Sequence, residues 1–260
     1  MAANEPMDTK TTGLDGGGEG SGCLTVNADD WGRDAETTDR TLECVLRGGV
    51  SAASAMMFMK DSERSAGLAR EHGLDVGLHL NLTEPFSAGI GDSKLTEHHR
   101  RVVAYLRGHK LAQIVYHPGL SGSFEFVVGK QLEEFERLYG VPPCRVDGHH
   151  HMHLSANVLW GRLIPPGVRV RRNFSFLKSE KGKLNRMYRN FVDRALERRH
   201  AITDYFFSLP PLEPKSRLDR IFSLALSNTV EVETHPINVH EYQYLISGVI
   251  SGLAKPFTKN

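Results

Sequence analysis

The chain has 260 residues, 40% of them hydrophobic and 24% charged, with a formal net charge of +1. This is the composition of an ordinary globular protein with room for one large α/β domain, and it argues against general nucleic-acid binding, which needs a marked positive excess to displace counterions. Cys23, Cys44 and Cys144 are odd in number and widely spaced, so neither a disulfide framework nor a thiolate zinc site follows, and a reducing cytoplasm is the expected compartment.

Residues 1–22 end in Asp15-Gly16-Gly17-Gly18-Glu19-Gly20-Ser21-Gly22 and contain almost no apolar side chains. They lack the apolar segment of a secretory signal and read as a disordered tail, leaving residues 23–260 as a single domain. From Cys23 onward, short apolar runs alternate with helical patterns. The runs predict strands at Cys23–Asn27, Ser51–Phe58, Val76–Asn81, Leu111–Tyr116, Cys144–Asp147, Val168–Arg172, Ile202–Phe207 and Val230–Thr234. Helices are predicted at Thr37–Arg47, Glu63–His72, Gly129–Tyr139 and Leu184–Arg199, the first three stopped by Gly48-Gly49, Gly73 and Gly140. Residues 83–110 show no clear pattern and read as a long loop, and no apolar run reaches the length of a membrane span.

Strand–helix alternation implies a mainly parallel sheet, either a barrel or an open doubly wound sheet. Four separate strand ends carry acids or imidazoles, and a barrel gathers strand ends at one mouth, whereas an open sheet concentrates its site at one switch point. The expected fold is therefore α/β, a distorted (β/α) barrel of the TIM-barrel kind. No strand pattern follows Pro236, so whether it closes is left open.

The first strand runs into Asp29-Asp30. Adjacent carboxylates repel, so such a pair needs a cation or strong donors; a turn with a helix N-cap is the competing reading. His79 interrupts an apolar strand, where a single histidine is more often a hydrogen-bonded core residue than a ligand. It gains weight from Asp147-Gly148-His149-His150-His151-Met152-His153, four imidazoles in five residues, costly to bury unpaired. In extended chain His149, His151 and His153 would share a face, with one serving as ligand and the others in support. In Glu231-Val232-Glu233-Thr234-His235-Pro236, alternation aims Glu231, Glu233 and His235 to one side, where an acid could orient the imidazole; a polar barrel rim is an equal alternative. His72, His98 and His99 lie in polar surroundings and read as solvated, and Tyr116-His117-Pro118-Gly119 reads as a turn. The eleven Lys or Arg and three acids between Val168 and Arg199 read as a solvated helix face, unless the site opens onto that surface and meets a phosphate or carboxylate group.

Taken together, Asn27–Gly32 (NADDWG), Gly77–Leu82 (GLHLNL), Asp147–His153 (DGHHHMH) and the terminal Glu231–Pro236 resemble the YdjC-like carbohydrate deacetylases, the family of chito-oligosaccharide and hopanoid-biosynthesis deacetylases. The resemblance runs from about Leu24 to about Pro236. It implies a distorted (β/α) barrel that removes acetyl groups from N-acetylated sugars with one divalent metal ion, magnesium or zinc. By position it implies Asp30, His79 and His149 as metal ligands, Asp29 as catalytic base towards a metal-bound water, and His235 as the acid that protonates the departing amine. Glu233 departs from the family, where a Met is common. The expected partner is an N-acetylated sugar or oligosaccharide, with no nucleic acid and no membrane span, and a homodimer is left open. A carbohydrate- or metal-binding module without turnover and a metal-dependent phosphoesterase are the alternatives.

Overall fold

The apolar run that opens the first predicted strand continues further than its polar end suggests: β1 spans Cys23–Trp31 and, past the partly exposed Cys23, is buried throughout. The computed structural model describes residues 22–89, 91–108, 111–176 and 182–255, so of the expected N-terminal tail all but Gly22 lies outside the described residues. Six further strands follow: β2 (Ala52–Ala55), β3 (Asp75–Leu80), β4 (Arg145–Gly148), β5 (Arg169–Val170), β6 (Tyr205–Ser208) and β7 (Thr229–Thr234). All pair in parallel, in the order β5-β4-β3-β2-β1-β7-β6. Helices α1 (Ala35–Leu46), α2 (Ser62–His72), α3 (Ser93–Gly108), α4 (Ser121–Tyr139), α5 (Ala156–Gly161), α6 (Lys183–Glu197) and α7 (Lys215–Leu224) form the crossovers that parallel pairing requires, and α8 (Val239–Ile246) follows β7.

The sheet is curled into a half-barrel. Arg171, just past β5, donates to Asp29 on β1. Four strand spacings of a flat sheet would hold these residues about 19 Å apart. The two edge strands share no ladder; instead Ser175 N–H donates to the Phe206 carbonyl at 2.8 Å and Phe206 N–H donates to Ser175 Oγ at 3.1 Å. Irregular chain after β5 thus bridges to β6.

Alternation along the strands decides what lines this barrel. Leu24, Val26 and Ala28 of β1, with Val230 and Val232 of β7, pack outward into one apolar cluster; Leu78, Leu80 and Val146 enter another beneath α3 and α4. The intervening residues point inward, and they are polar and buried: Asn27, Asp29, Ser54, His79, Arg145, Asp147, Glu231 and Glu233. The sheet therefore buries an apolar outer face and a polar interior.

Local signals place most helix ends. Asp34 caps α1 by accepting from Thr37 N–H at 2.9 Å, an interaction worth about 1 kcal/mol. Gly73 and Gly140 close α2 and α4 in the left-handed conformation, with φ of 61° and 76°. Three expectations fail. Residues 83–110 are not a patternless loop, because α3 buries Leu95, His99, Val102 and Leu106 at helical spacing. His99, read as solvated, completes that stripe: it is buried, stacks on Phe86 at 3.7 Å and bonds the Asn81 carbonyl. Leu111–Tyr116 forms turns rather than a strand, with Leu111, Ile114, Val115 and Tyr116 exposed.

Candidate metal and catalytic site

Adjacent residues on a regular strand point to opposite faces. At the end of β1 the register against β2 shifts between Ala28 and Trp31, and Asp30 adopts a φ of 64°. This irregularity brings both Asp29 and Asp30 into the barrel mouth, as bulges near active sites commonly re-aim a side chain. A left-handed aspartate costs on the order of 1–3 kcal/mol and persists only where its surroundings hold it.

Asp30 Oδ1 lies 3.3 Å from His79 Nε2 and 2.9 Å from His149 Nδ1. Yet Asp30 Oδ1 and His79 Nε2 are buried without an aligned hydrogen bond. Three lone-pair atoms that approach one another without bonding are arranged for a shared third body. One carboxylate and two imidazoles suit a divalent cation and leave positions open for water or substrate, so the residues present fit a metal. His79 is oriented from behind: its Nδ1 bonds Asp147 Oδ1 at 2.7 Å, which directs the Nε2 lone pair towards Asp30. Arg33 reaches the other Asp30 oxygen at 3.1 Å, and Glu84 Oε2 lies 3.2 Å from His149 Nε2.

Arg171 organises the acids beside this cluster. Its guanidinium donates to both oxygens of Asp29 at 2.7 Å each, to Glu231 at 2.7 Å and to Glu233 at 3.4 Å, and it lies 2.8 Å from Asp147 Oδ2. Burial opposes ionisation of Asp29, but the charge and hydrogen bonds of Arg171 outweigh it and hold the carboxyl below its usual range. Asp147 is pushed down in the same way, chiefly by the Arg171 charge, against the cost of burial. Glu233 goes the other way: burial and then the Asp29 charge push it well above the usual carboxylate range. One guanidinium serves four carboxylates; Glu233 has the longest bond to it, and burial with the Asp147 charge raises Glu231 as well. A second cluster, Asp29, His79 and Asp147, also has metal-like spacing, but Arg171 already supplies its positive charge.

The histidine segment is not extended. His149–Leu154 forms a 3-10 turn in which His150 and His151 take positive φ values of 53° and 58°. His149, His151 and His153 therefore do not share a face. His149 turns to Asp30, His150 bonds Thr83 Oγ1 at 2.9 Å, and His151 Nε2 lies 3.7 Å from Glu233. The buried His153 bonds the Arg171 carbonyl at 3.0 Å, anchoring the peptide that carries the guanidinium. Gly148 makes room for the turn, since a Cβ there would meet His153 at 3.0 Å.

Of the five residues singled out in the sequence, Asp30, His79 and His149 converge, and Asp29 lies within 4.8 Å of His79 through their ligand atoms. His235 follows β7 and is half-buried; Glu241 accepts its backbone N–H at 2.9 Å. Glu231 and Glu233, expected to support its ring, engage Arg171 instead. Sequence reasoning missed Arg171 and Asp147. Arg171 was hidden in the basic stretch read as a solvated face, although it is 2% exposed. The signal that could have found it is the number of acids aimed inward with no cation among them.

Residues 23–247 match the family described as YdjC-like protein. The chain belongs to this family. Among curated relatives it is 28% identical over 141 residues to a chitooligosaccharide deacetylase of Serratia marcescens, covering 52% of each chain. It is 31% identical over 144 residues to a human carbohydrate deacetylase, covering 52% of this chain and 42% of that one. The chain thus spans about half the length of the curated relatives it matches. A crystal structure from Enterococcus faecalis, of a protein proposed to cleave cellobiose phosphate, superimposes with a TM-score of 0.61 at 16% identity, covering 92% of this chain and 97% of that one, and shares the fold.

Proposed function

We propose that this YdjC-like protein is a metal-dependent hydrolase that removes acetyl groups from N-acetylated amino sugars. The observation that carries the reading is the convergence of Asp30, His79 and His149 beside an ionised Asp29 at the mouth of a polar barrel. The named activities of the curated relatives point the same way.

Asp30, His79 and His149 would hold the divalent ion. When bound, it supplies Lewis acidity towards the amide carbonyl and stabilises charge developing on the carbonyl oxygen. Asp29 takes a proton from the attacking water; Arg171 fixes its carboxylate plane, and Asn27 Nδ2 adds a third donor at 2.8 Å. Three donors lower the basicity of Asp29, an effect moderated because Asp147, Glu231 and Glu233 share the same guanidinium. His235, at the end of β7, protonates the amine as the C–N bond breaks, since an unprotonated amine leaves poorly. Water supplies the new oxygen of the acetate; one of its protons passes to Asp29 and the other leaves with the acetic acid, while the amine takes its proton from His235, which is restored as Asp29 gives up its own. The two-metal phosphoesterase reading loses ground because Arg171 occupies the position a second cation would need.

Incubation of metal-loaded protein with N-acetylglucosamine oligomers tests the reading. Acetate and free amine should appear in equal amounts. Metal binding with no acetate release from a broad panel of N-acetylated glycans would transfer the reading to a binding module.

A further inference from the structure

The groove between α5 and α6 presents large apolar side chains to solvent. Trp160 on α5 is 62% exposed; Met187 and Phe191 on α6 are 65% and 57% exposed, and Ile114 from the turn segment beside them is 48% exposed. Ile114, Trp160, Tyr188 and Phe191 line one continuous groove. The inner side of α6 is already satisfied, with Val192 and Leu196 buried in the core, so its outer apolar row is surplus to folding. Contiguous exposed apolar surface of this kind marks an interaction site.

What surrounds the row identifies the partner. Along α6, Met187, Phe191, Arg194 and Arg198 fall at helical spacing, so the apolar row runs directly into two exposed arginines. Arg162 and Arg199 line the groove itself. None of Arg162, Arg194, Arg198 and Arg199 has an ion pair among the described residues. Exposed Trp, Phe and Met framed by unpaired arginines are the features of an interfacial helix that sinks its apolar face into a bilayer while its cations meet anionic headgroups.

We propose that the α5–α6 face docks onto an anionic lipid surface. The groove adjoins a second cleft that reaches His150 and His151, with Ile114, Tyr188 and Val192 bordering both. This inference does not depend on the reaction proposed above.

The two tryptophans provide the test. Trp31 is fully buried and Trp160 is exposed, so a change in emission on adding vesicles reports on the proposed face. Phosphatidylglycerol-containing vesicles should shift emission to the blue, and brominated lipid should quench it. Trp160→Phe should abolish both responses. Phe191→Ser and, separately, the pair Arg194→Glu and Arg198→Glu should weaken vesicle co-sedimentation at least tenfold with melting temperature unchanged, and raised salt should weaken wild-type binding. Unchanged emission with every vesicle would overturn the proposal. So would equal binding to pure phosphatidylcholine, or a dimer in light scattering that Phe191→Ser converts to monomer.

Discussion

Both carboxylate oxygens of Asp29 are held by Arg171, at 2.7 Å each, although Arg171 follows β5, four strand positions from β1 in the sheet. That bond closes the half-barrel electrostatically where the backbone ladder does not. It also supplies the charge that lets the inward-facing acids be buried together. Removing one partner of a buried ion pair typically costs ~3–5 kcal/mol, because the other charge is left uncompensated. Arg171→Met should therefore destabilise the fold by about that amount in urea unfolding. A loss within ~1 kcal/mol would mean that the acids simply protonate and the barrel needs no central cation.

The two adjacent aspartates should separate cleanly. Asp29→Asn keeps the shape but cannot accept a proton, so it should retain metal and lose most turnover. Asp30→Asn should weaken metal binding itself. Metal analysis alongside acetate release distinguishes the two, and exchanged phenotypes would mean that ligand and base are assigned the wrong way round.

His235 is expected to act as the acid. General acid catalysis contributes ~10²–10⁴-fold, so His235→Ala should lower kcat by about that range with metal content unchanged. A substrate with a better leaving amine should recover part of the loss. If the variant loses its metal, His235 is a ligand. If kcat holds, the acid lies elsewhere, and the Glu233–His151 pair at 3.7 Å becomes the next candidate.

Stability should fall on mild acidification, for a reason far from catalysis. Burial lowers His99 to about 4, opposed only in part by its bond to the Asn81 carbonyl. A histidine with a depressed folded pKa favours the native state fully above the unfolded value of about 6.5, and that advantage is lost as pH falls towards 4. At about 1.4 kcal/mol per unit, the loss from His99 alone is on the order of 3 kcal/mol. His153, lowered to about 4 chiefly by burial, adds to it. His99→Leu should flatten the decline in stability between pH 6.5 and 4, since Gln131 Nε2 still donates to the Asn81 carbonyl at 3.0 Å. An unchanged slope would place the acid sensitivity elsewhere.

What the sequence disclosed, and what it hid, follows from the range of each interaction. The chemistry-bearing strand ends were legible because β1, β3, β4 and β7 are short apolar runs that stop at acids or imidazoles. The inward direction of Glu231 and Glu233 followed from alternation, but their partner did not, because Arg171 lies 60 residues from Glu231 along the chain. The α3 stripe was masked by His99, a polar residue at a core position. The histidine turn depends on positive φ at His150 and His151, which no pattern of residue types announces. Adjacent Asp29 and Asp30 could share a mouth only through the irregular end of β1, another backbone departure that hydrophobic periodicity does not encode.

Metal stoichiometry tests the central claim most directly. Metal-free protein titrated with zinc or magnesium should take up one equivalent per chain, and His79→Ala and His149→Ala should each lose most of that binding while remaining folded. Retention of a full, tightly bound equivalent in both variants would contradict the account, because Asp30, His79 and His149 would then not be the site.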